Sequence, residues 1–175
     1  MLPDKDARDT SGDHIATGPI LFSRKRVTGT GHLAKRSNLS RARFRRSRPR
    51  EILIVDGKEA DAERLTATLH VLFGYQISIR WARSLAEAIA GFAEDLPSLT
   101  FVDDTAEPPN DALVSMAELR RAGYCGPVVV VSNTLTQTRR TRLLAGGAVD
   151  VIHKDDLDSV RVAEAVDCAC CADRA

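Results

Sequence analysis

The sequence predicts an α/β domain built on a five-stranded parallel sheet with helices on both faces. Three observations lead there. Short β-branched runs recur along the chain, as in Ile52-Leu53-Ile54-Val55 and the four valines at 128–131. Stretches with helical apolar spacing separate them, and Gly, Pro, Ser or Asp marks each junction. Continuous apolar strands, unlike alternating ones, are buried on both faces, and a layer of helices on each side provides that burial.

The first strand is 51–55, closed by Asp56-Gly57. Residues 60–73 place Leu65, Leu69 and Leu72 on one helical face, and Gly74 stops that helix. Residues 76–81 form a second strand. Ser84 with Glu87 three positions on reads as a capping box, opening a helix to about Ala93 with Leu85, Ile89 and Phe92 inward. The third strand, 99–102, ends in Asp103-Asp104. A Pro108-Pro109-Asn110 turn follows, and Asp111 caps a helix through Arg121. Gly126-Pro127 precedes the fourth strand, 128–131, closed by Ser132-Asn133. A polar helix runs to about Leu144. The fifth strand, 148–152, leads into His153-Lys154, and a last helix begins at Asp155 or Asp156 with Val160, Ala163 and Val166 on one face. Right-handed βα crossovers connect such units.

Charge divides the chain. Residues 1–50 hold 13 Lys/Arg against 4 Asp/Glu, whereas residues 51–175 hold 12 against 20, so a basic arm of +9 precedes an acidic body of −8. The arm has no sustained apolar period. Its best patch, Pro19-Ile20-Leu21-Phe22, is too small to offset conformational entropy, so residues 1–50 are expected to be disordered. Its end is an arginine cluster from Arg41 to Arg50, which reads as a solvated tail, as sequence upstream of the true start, or as a phosphate-binding tether to nucleic acid. No residue is assigned to nucleic-acid binding.

The apolar runs are too short to span a bilayer, and no secretory signal is evident, so no membrane partner is expected. Of the four cysteines, Cys168, Cys170 and Cys171 crowd the C-terminus, which does not make a disulfide framework; a reducing cytoplasm is expected. Neither those thiols nor His14, His32 and His70 have metal-site spacing.

In open parallel sheets ligands bind at the carboxyl ends of the strands. Those ends carry Asp56, Asp103, Asp104, Ser132 and Lys154. Singly, each has a bland reading: an acid that caps a turn, a hydroxyl that closes a strand, a surface lysine. Together they crowd carboxylates that repel unless a cation intervenes, and Mg²⁺ favours a few carboxylates plus water and phosphate oxygens. A carboxylate attacking phosphorus, with a metal ion and a lysine stabilising the transferring charge, suits this set.

The ordered motifs Ile-Leu-Ile-Val-Asp (52–56), Phe-Val-Asp-Asp (101–104), Val-Val-Val-Val-Ser (128–132) and Gly-Ala-Val-Asp-Val-Ile-His-Lys (147–154) resemble the receiver domain of two-component response regulators over residues 51–172. The resemblance implies a flavodoxin-like sheet of order 2-1-3-4-5. It implies phosphoryl transfer from a sensor histidine kinase or phosphotransfer protein to a strand-end aspartate, with Mg²⁺. By motif, Asp103 is the phosphoacceptor, Asp56 and Asp103 hold the metal, and Ser132 and Lys154 complete the catalytic set. Counting back from Pro108 instead gives Asp104 as acceptor; Asp103 is preferred because the alternative buries its charge within the strand.

Three positions depart from the family. Gly57 replaces the second acid after strand one, which weakens metal binding unless Glu59 or Asp104 reaches in. Asp155 replaces the usual proline after the lysine. Val151 replaces an aromatic switch residue, so an aromatic-rotamer switch is not expected. A stand-alone receiver is expected, a monomer or weak homodimer, and the resemblance implies that it signals by protein contacts and is not an enzyme beyond its own phosphorylation and dephosphorylation. The alternative is a degenerate receiver acting without phosphate as a binding module.

Overall fold

The computed structural model describes residues 49–106 and 111–172. The arm over residues 1–48 and the Pro108-Pro109-Asn110 turn lie outside the described residues. The five strands are β1 (Glu51–Val55), β2 (Ser78–Ala82), β3 (Leu99–Asp103), β4 (Val128–Ser132) and β5 (Asp150–His153). All pair in parallel, in the order β2-β1-β3-β4-β5. Among the described residues the α-helices are α1 (Glu59–Phe73), α2 (Leu85–Ala90), α3 (Ala112–Arg121), α4 (Gln137–Ala145) and α5 (Ser159–Ala172). This is the expected doubly wound sheet.

Side-chain alternation along the strands divides the core in two. Ile52, Ile54, Phe101, Val129, Val131 and Ile152 pack under α1 and α5, against Leu65, Leu69, Val162 and Val166. Leu53, Val55, Val102, Val128, Val130 and Val151 pack on the opposite face with Leu85, Met116, Leu119 and Leu143. The inner strands β1, β3 and β4 are therefore apolar on both faces, as their composition requires.

The caps are local consequences of sequence. Gly74 ends α1 at φ 72°, and its amide donates to the His70 carbonyl at 2.8 Å. Ser84 Oγ accepts from Glu87 N at 3.2 Å, but Glu87 returns its bond to Arg83 N rather than to Ser84, so the box spans one more residue. Asp111 caps α3 through Leu113 N, and Thr136 caps α4 through Arg139 N.

Several boundaries differ from expectation. β2 begins at Ser78 rather than 76, because Ser78 is the residue that pairs with Glu51 at the start of β1. β5 begins at Asp150 rather than 148, because the Ala148 amide is engaged by the Leu143 carbonyl at the end of α4. The last helix begins at Ser159: Lys154–Asp156 forms a 3₁₀ turn, and it is the Asp158 carboxylate that accepts from Val160 N and Arg161 N, both at 2.8 Å. Val160 faces outward, 67% exposed, on the side of the helix opposite the buried stripe of Val162, Ala163, Ala165, Val166 and Ala169.

A candidate phosphoacceptor site at the strand ends

Topology brings β1, β3 and β5 to one sheet edge, and period-two alternation aims their terminal residues. Asp56, Asp103 and Lys154 continue the series Ile52-Ile54, Leu99-Phe101 and Ile152, so all three rise on the α1/α5 face. Lys154 Nζ donates to Asp56 Oδ2 at 2.8 Å and lies 3.1 Å from Asp103 Oδ1. A third carboxylate joins them: Asp61 Oδ2, from the first turn of α1, accepts from Lys154 Nζ at 2.6 Å. Lys154, Asp56 and Asp103 are 3%, 5% and 4% exposed, so this is a buried charge cluster.

One ammonium thus serves three carboxylates, a formal excess of two negative charges. The imbalance appears in both partners. Burial alone would lower the Lys154 pKa, but the bonds to Asp56 and Asp61 and the charge of Asp103 hold it well above the ordinary lysine value. Burial pushes the Asp56 carboxyl upward, aided by Asp103, and its bonds from Lys154 and from the Lys58 amide only partly offset this. The lysine is fully served; the aspartate is not.

Asp103 has two unlike oxygens. Oδ2 accepts from Thr105 Oγ1 at 2.8 Å. Oδ1 is buried with no hydrogen-bond donor, its contact with Lys154 being ionic only. Trp81 stands beside the cluster and donates its indole N–H to the Asp56 carbonyl at 2.9 Å.

Asp104 and Ser132 belong to the other face. They continue the series Thr100-Val102 and Val128-Val130, and the register that sets Asp103 against Val131 brings Asp104 beside Ser132. Ser132 Oγ donates to Asp104 Oδ2 at 3.1 Å. Arg139, on α4, grips Asp104 with a fork: Nε donates to Oδ2 at 3.1 Å and an Nη to Oδ1. The same Nη reaches Asp111 Oδ1 at 2.8 Å. Ser132 is therefore bonded to Asp104 and not to Asp103.

Neither residue expected to replace the acid missing at Gly57 does so: Glu59 is exposed and Asp104 is held by Arg139. Asp61 reaches the cluster instead. Sequence reasoning missed it because an acid in the first turn of a helix reads as a partner for the helix dipole. Its position five residues beyond Asp56, on the helix that leaves the same sheet edge, was the available signal. Arg139 was missed as one of several polar residues on α4. Val151, where the aromatic was lacking, is fully buried. His153 is structural: its Nδ1 accepts from Asp155 N at 3.1 Å, which leaves Nε2 to donate to the Asn133 carbonyl at 2.9 Å. Cys125, Cys168, Cys170 and Cys171 form no disulfide.

Buried Asp103 Oδ1 without a donor, and a surplus of two negative charges, fit a divalent cation. Among the described residues, no group of three or more His, Cys, Asp or Glu side chains is arranged as a complete metal site. The donor set accordingly suits an ion held by two carboxylates and completed by water and phosphate oxygens, a mode that Mg²⁺ accepts.

No protein-family model and no curated protein matches the sequence. Solved structures do match. The N-terminal domain of a response regulator/sensory box/GGDEF three-domain protein from Carboxydothermus hydrogenoformans is similar at 16% identity and TM-score 0.60, covering 71% of this chain and 96% of that one. A response regulator receiver protein from Pseudoalteromonas atlantica gives 18% identity and TM-score 0.57, over 66% and 93%. The signal receiver domain of the putative response regulator NarL from Mycobacterium tuberculosis gives 20% and 0.57, over 68% and 94%. The described body of this chain has the fold of response regulator receiver domains.

Proposed function

We propose that the chain is a receiver: Asp103 accepts a phosphoryl group from a phosphohistidine on a sensor kinase or phosphotransfer protein, and the change is passed on by protein contacts. The observation that carries this reading is the buried convergence of Asp56, Asp103 and Lys154 at one sheet edge. A carboxylate oxygen of Asp103 attacks phosphorus, the O–P bond forms as the N–P bond breaks, and the imidazole leaves with the electron pair. Lys154 offsets charge on the transferring oxygens. Asp56 and Asp103 would hold Mg²⁺, which would supply Lewis-acid stabilisation of the phosphoryl oxygens. Ser132 turns from Asp104 toward the phosphoryl group and carries the state of Asp103 to β4.

Intact-mass measurement after incubation with Mg²⁺ and acetyl phosphate or phosphoramidate tests the proposal. One added phosphoryl group, lost in Asp103→Asn, is expected; absence of any adduct overturns it. The second reading, a binding module that works without phosphate, draws on Gly57 and on the three-way satisfaction of Lys154. It gains if no adduct forms while the protein stays folded.

A further inference from the structure

Asp103 ends β3 and Asp104 follows it, both buried, and a phosphoryl group must choose between them. Their surroundings differ in the way that governs nucleophilicity. Attack on phosphorus needs a carboxylate lone pair free to point at it. Asp103 offers Oδ1, which accepts no hydrogen bond and faces only the Lys154 ammonium, 3.1 Å away. Asp104 has both oxygens engaged: Arg139 donates to them through Nε and Nη, and Ser132 Oγ donates to Oδ2 as well. A forked guanidinium–carboxylate pair is among the stronger side-chain contacts, because two parallel bonds and full charge act together. Arg139 is itself fixed from behind by Asp111, the N-cap of α3, so the fork is anchored on two elements. The two acids hold the Arg139 guanidinium more firmly protonated than usual, chiefly through Asp104, despite its partial burial.

We infer that Arg139 is the specificity-determining residue of the phosphoacceptor site: by sequestering both oxygens of Asp104 it directs phosphoryl transfer to Asp103. The inference rests on the receiver reading above. The reaction it excludes is the same as the one it permits: an O–P bond to Asp104 forms, the donor's P–O or P–N bond breaks, and acetate or the leaving nitrogen departs with the electron pair. Arg139 touches neither donor nor Asp103; it acts by withholding a competing nucleophile.

The test uses two readouts on the full chain, wild type, Arg139→Gln and Arg139→Lys, with circular dichroism to verify folding. The first is independent of phosphate. Water-soluble carbodiimide with a small amine labels free carboxylates, and peptide mass mapping compares Asp104 with Asp103. Arg139→Gln is expected to raise Asp104 labelling roughly tenfold relative to Asp103, with Arg139→Lys intermediate because it keeps the charge and loses the fork. Unchanged relative labelling in a folded Arg139→Gln protein overturns the inference. The second readout places both substitutions in the Asp103→Asn background. Acetyl phosphate is expected to modify Asp104 in Asp103→Asn/Arg139→Gln and not in Asp103→Asn alone. Modification of Asp104 in Asp103→Asn with Arg139 intact overturns the inference too. If the wild type takes no phosphate but labelling shifts as stated, the guarding role of Arg139 stands and the receiver reading alone fails.

Discussion

Lys154 Nζ lies 3.1 Å from Asp103 Oδ1 and 2.8 Å from Asp56 Oδ2, although 98 residues separate Lys154 from Asp56 in the chain. Neither local propensity nor a sequence-adjacent motif creates that meeting. It follows from strand order β2-β1-β3-β4-β5, which sets β1 beside β3 and aims both carboxyl ends at the turn after β5. The ammonium neutralises one of three carboxylates, so the cluster retains the appetite for a further cation that phosphoryl chemistry uses.

Removing that ammonium should expose the imbalance. Lys154→Met leaves Asp56 and Asp103 buried without their cation, and loss of one partner of a buried pair costs about 3–5 kcal/mol. Urea unfolding is expected to show a loss near the lower end, about 3 kcal/mol, because Asp56 can take up a proton. Adding Asp56→Asn to Lys154→Met should recover part of it. A loss below about 1 kcal/mol would show that the cluster is far wetter than its burial implies.

The edge strand carries an acid-labile clamp. Asp150, on β5, accepts from Arg140 at 3.0 Å and from Arg161 at 2.6 Å, and both arginines also bond the Val151 carbonyl. Burial works to raise the Asp150 pKa, but the arginines and the Val151 amide outweigh it, and the net direction is downward. An acid held below its unfolded value stabilises the fold above that value, about 3.9, and loses the contribution as pH falls through the folded one. Asp150→Asn should therefore be less stable than wild type by about 1–3 kcal/mol at neutral pH, with the gap closing below about pH 4. Parallel urea titrations at pH 7 and pH 3 check this; a gap that stays constant excludes the ionic origin.

Asp56 runs the opposite way. Its carboxyl is raised, chiefly by burial, so its ionisation costs the folded state free energy. That cost is absent below the unfolded value and grows as pH rises through the folded one. NMR titration of the Asp56 carboxyl carbon should place its midpoint above the ordinary aspartate range. Saturating Mg²⁺ should pull the midpoint back down; a midpoint that ignores Mg²⁺ would remove Asp56 from the metal ligands.

The fold was legible because its evidence is local and periodic: four apolar runs and one mixed strand, each followed by a helix, leave few topologies. The strand-end residues were legible for the same reason, since β-strand termini converge wherever the sheet is parallel. The partition among them was not drawn, yet alternation encodes it. Counting in twos from Ile52, Leu99 and Ile152 puts Asp56, Asp103 and Lys154 on one face; counting from Val128 and Thr100 puts Ser132 and Asp104 on the other. Asp61 and Arg139 were out of reach for a different reason. They sit on helices, and which helical residue overhangs a site depends on how each helix docks, a tertiary quantity that spacing alone does not fix. Val160 failed similarly: the helix docks through Val162, Ala165, Val166 and Ala169, which leaves Val160 on the opposite side.

Gly57 offers the sharpest test of what the site lacks. A Cβ built there meets only the Arg83 carbonyl at 3.6 Å, ordinary van der Waals contact, and the backbone does not require glycine. Gly57→Asp should therefore fold, with stability changed by less than about 1 kcal/mol, and it places a new carboxylate beside Asp56. A further negative charge at a site already in surplus strengthens divalent binding, by roughly tenfold for about 1.4 kcal/mol of added attraction. Trp81 is the chain's one tryptophan, and its indole is bonded to the Asp56 carbonyl, so its fluorescence can report occupancy. Titration with Mg²⁺ should give a lower Kd in Gly57→Asp than in wild type, and acetyl phosphate should load it faster. Equal Kd values in two folded proteins would mean that the cation is held elsewhere than at Asp56 and Asp103, and the chemistry assigned to this edge would go with it.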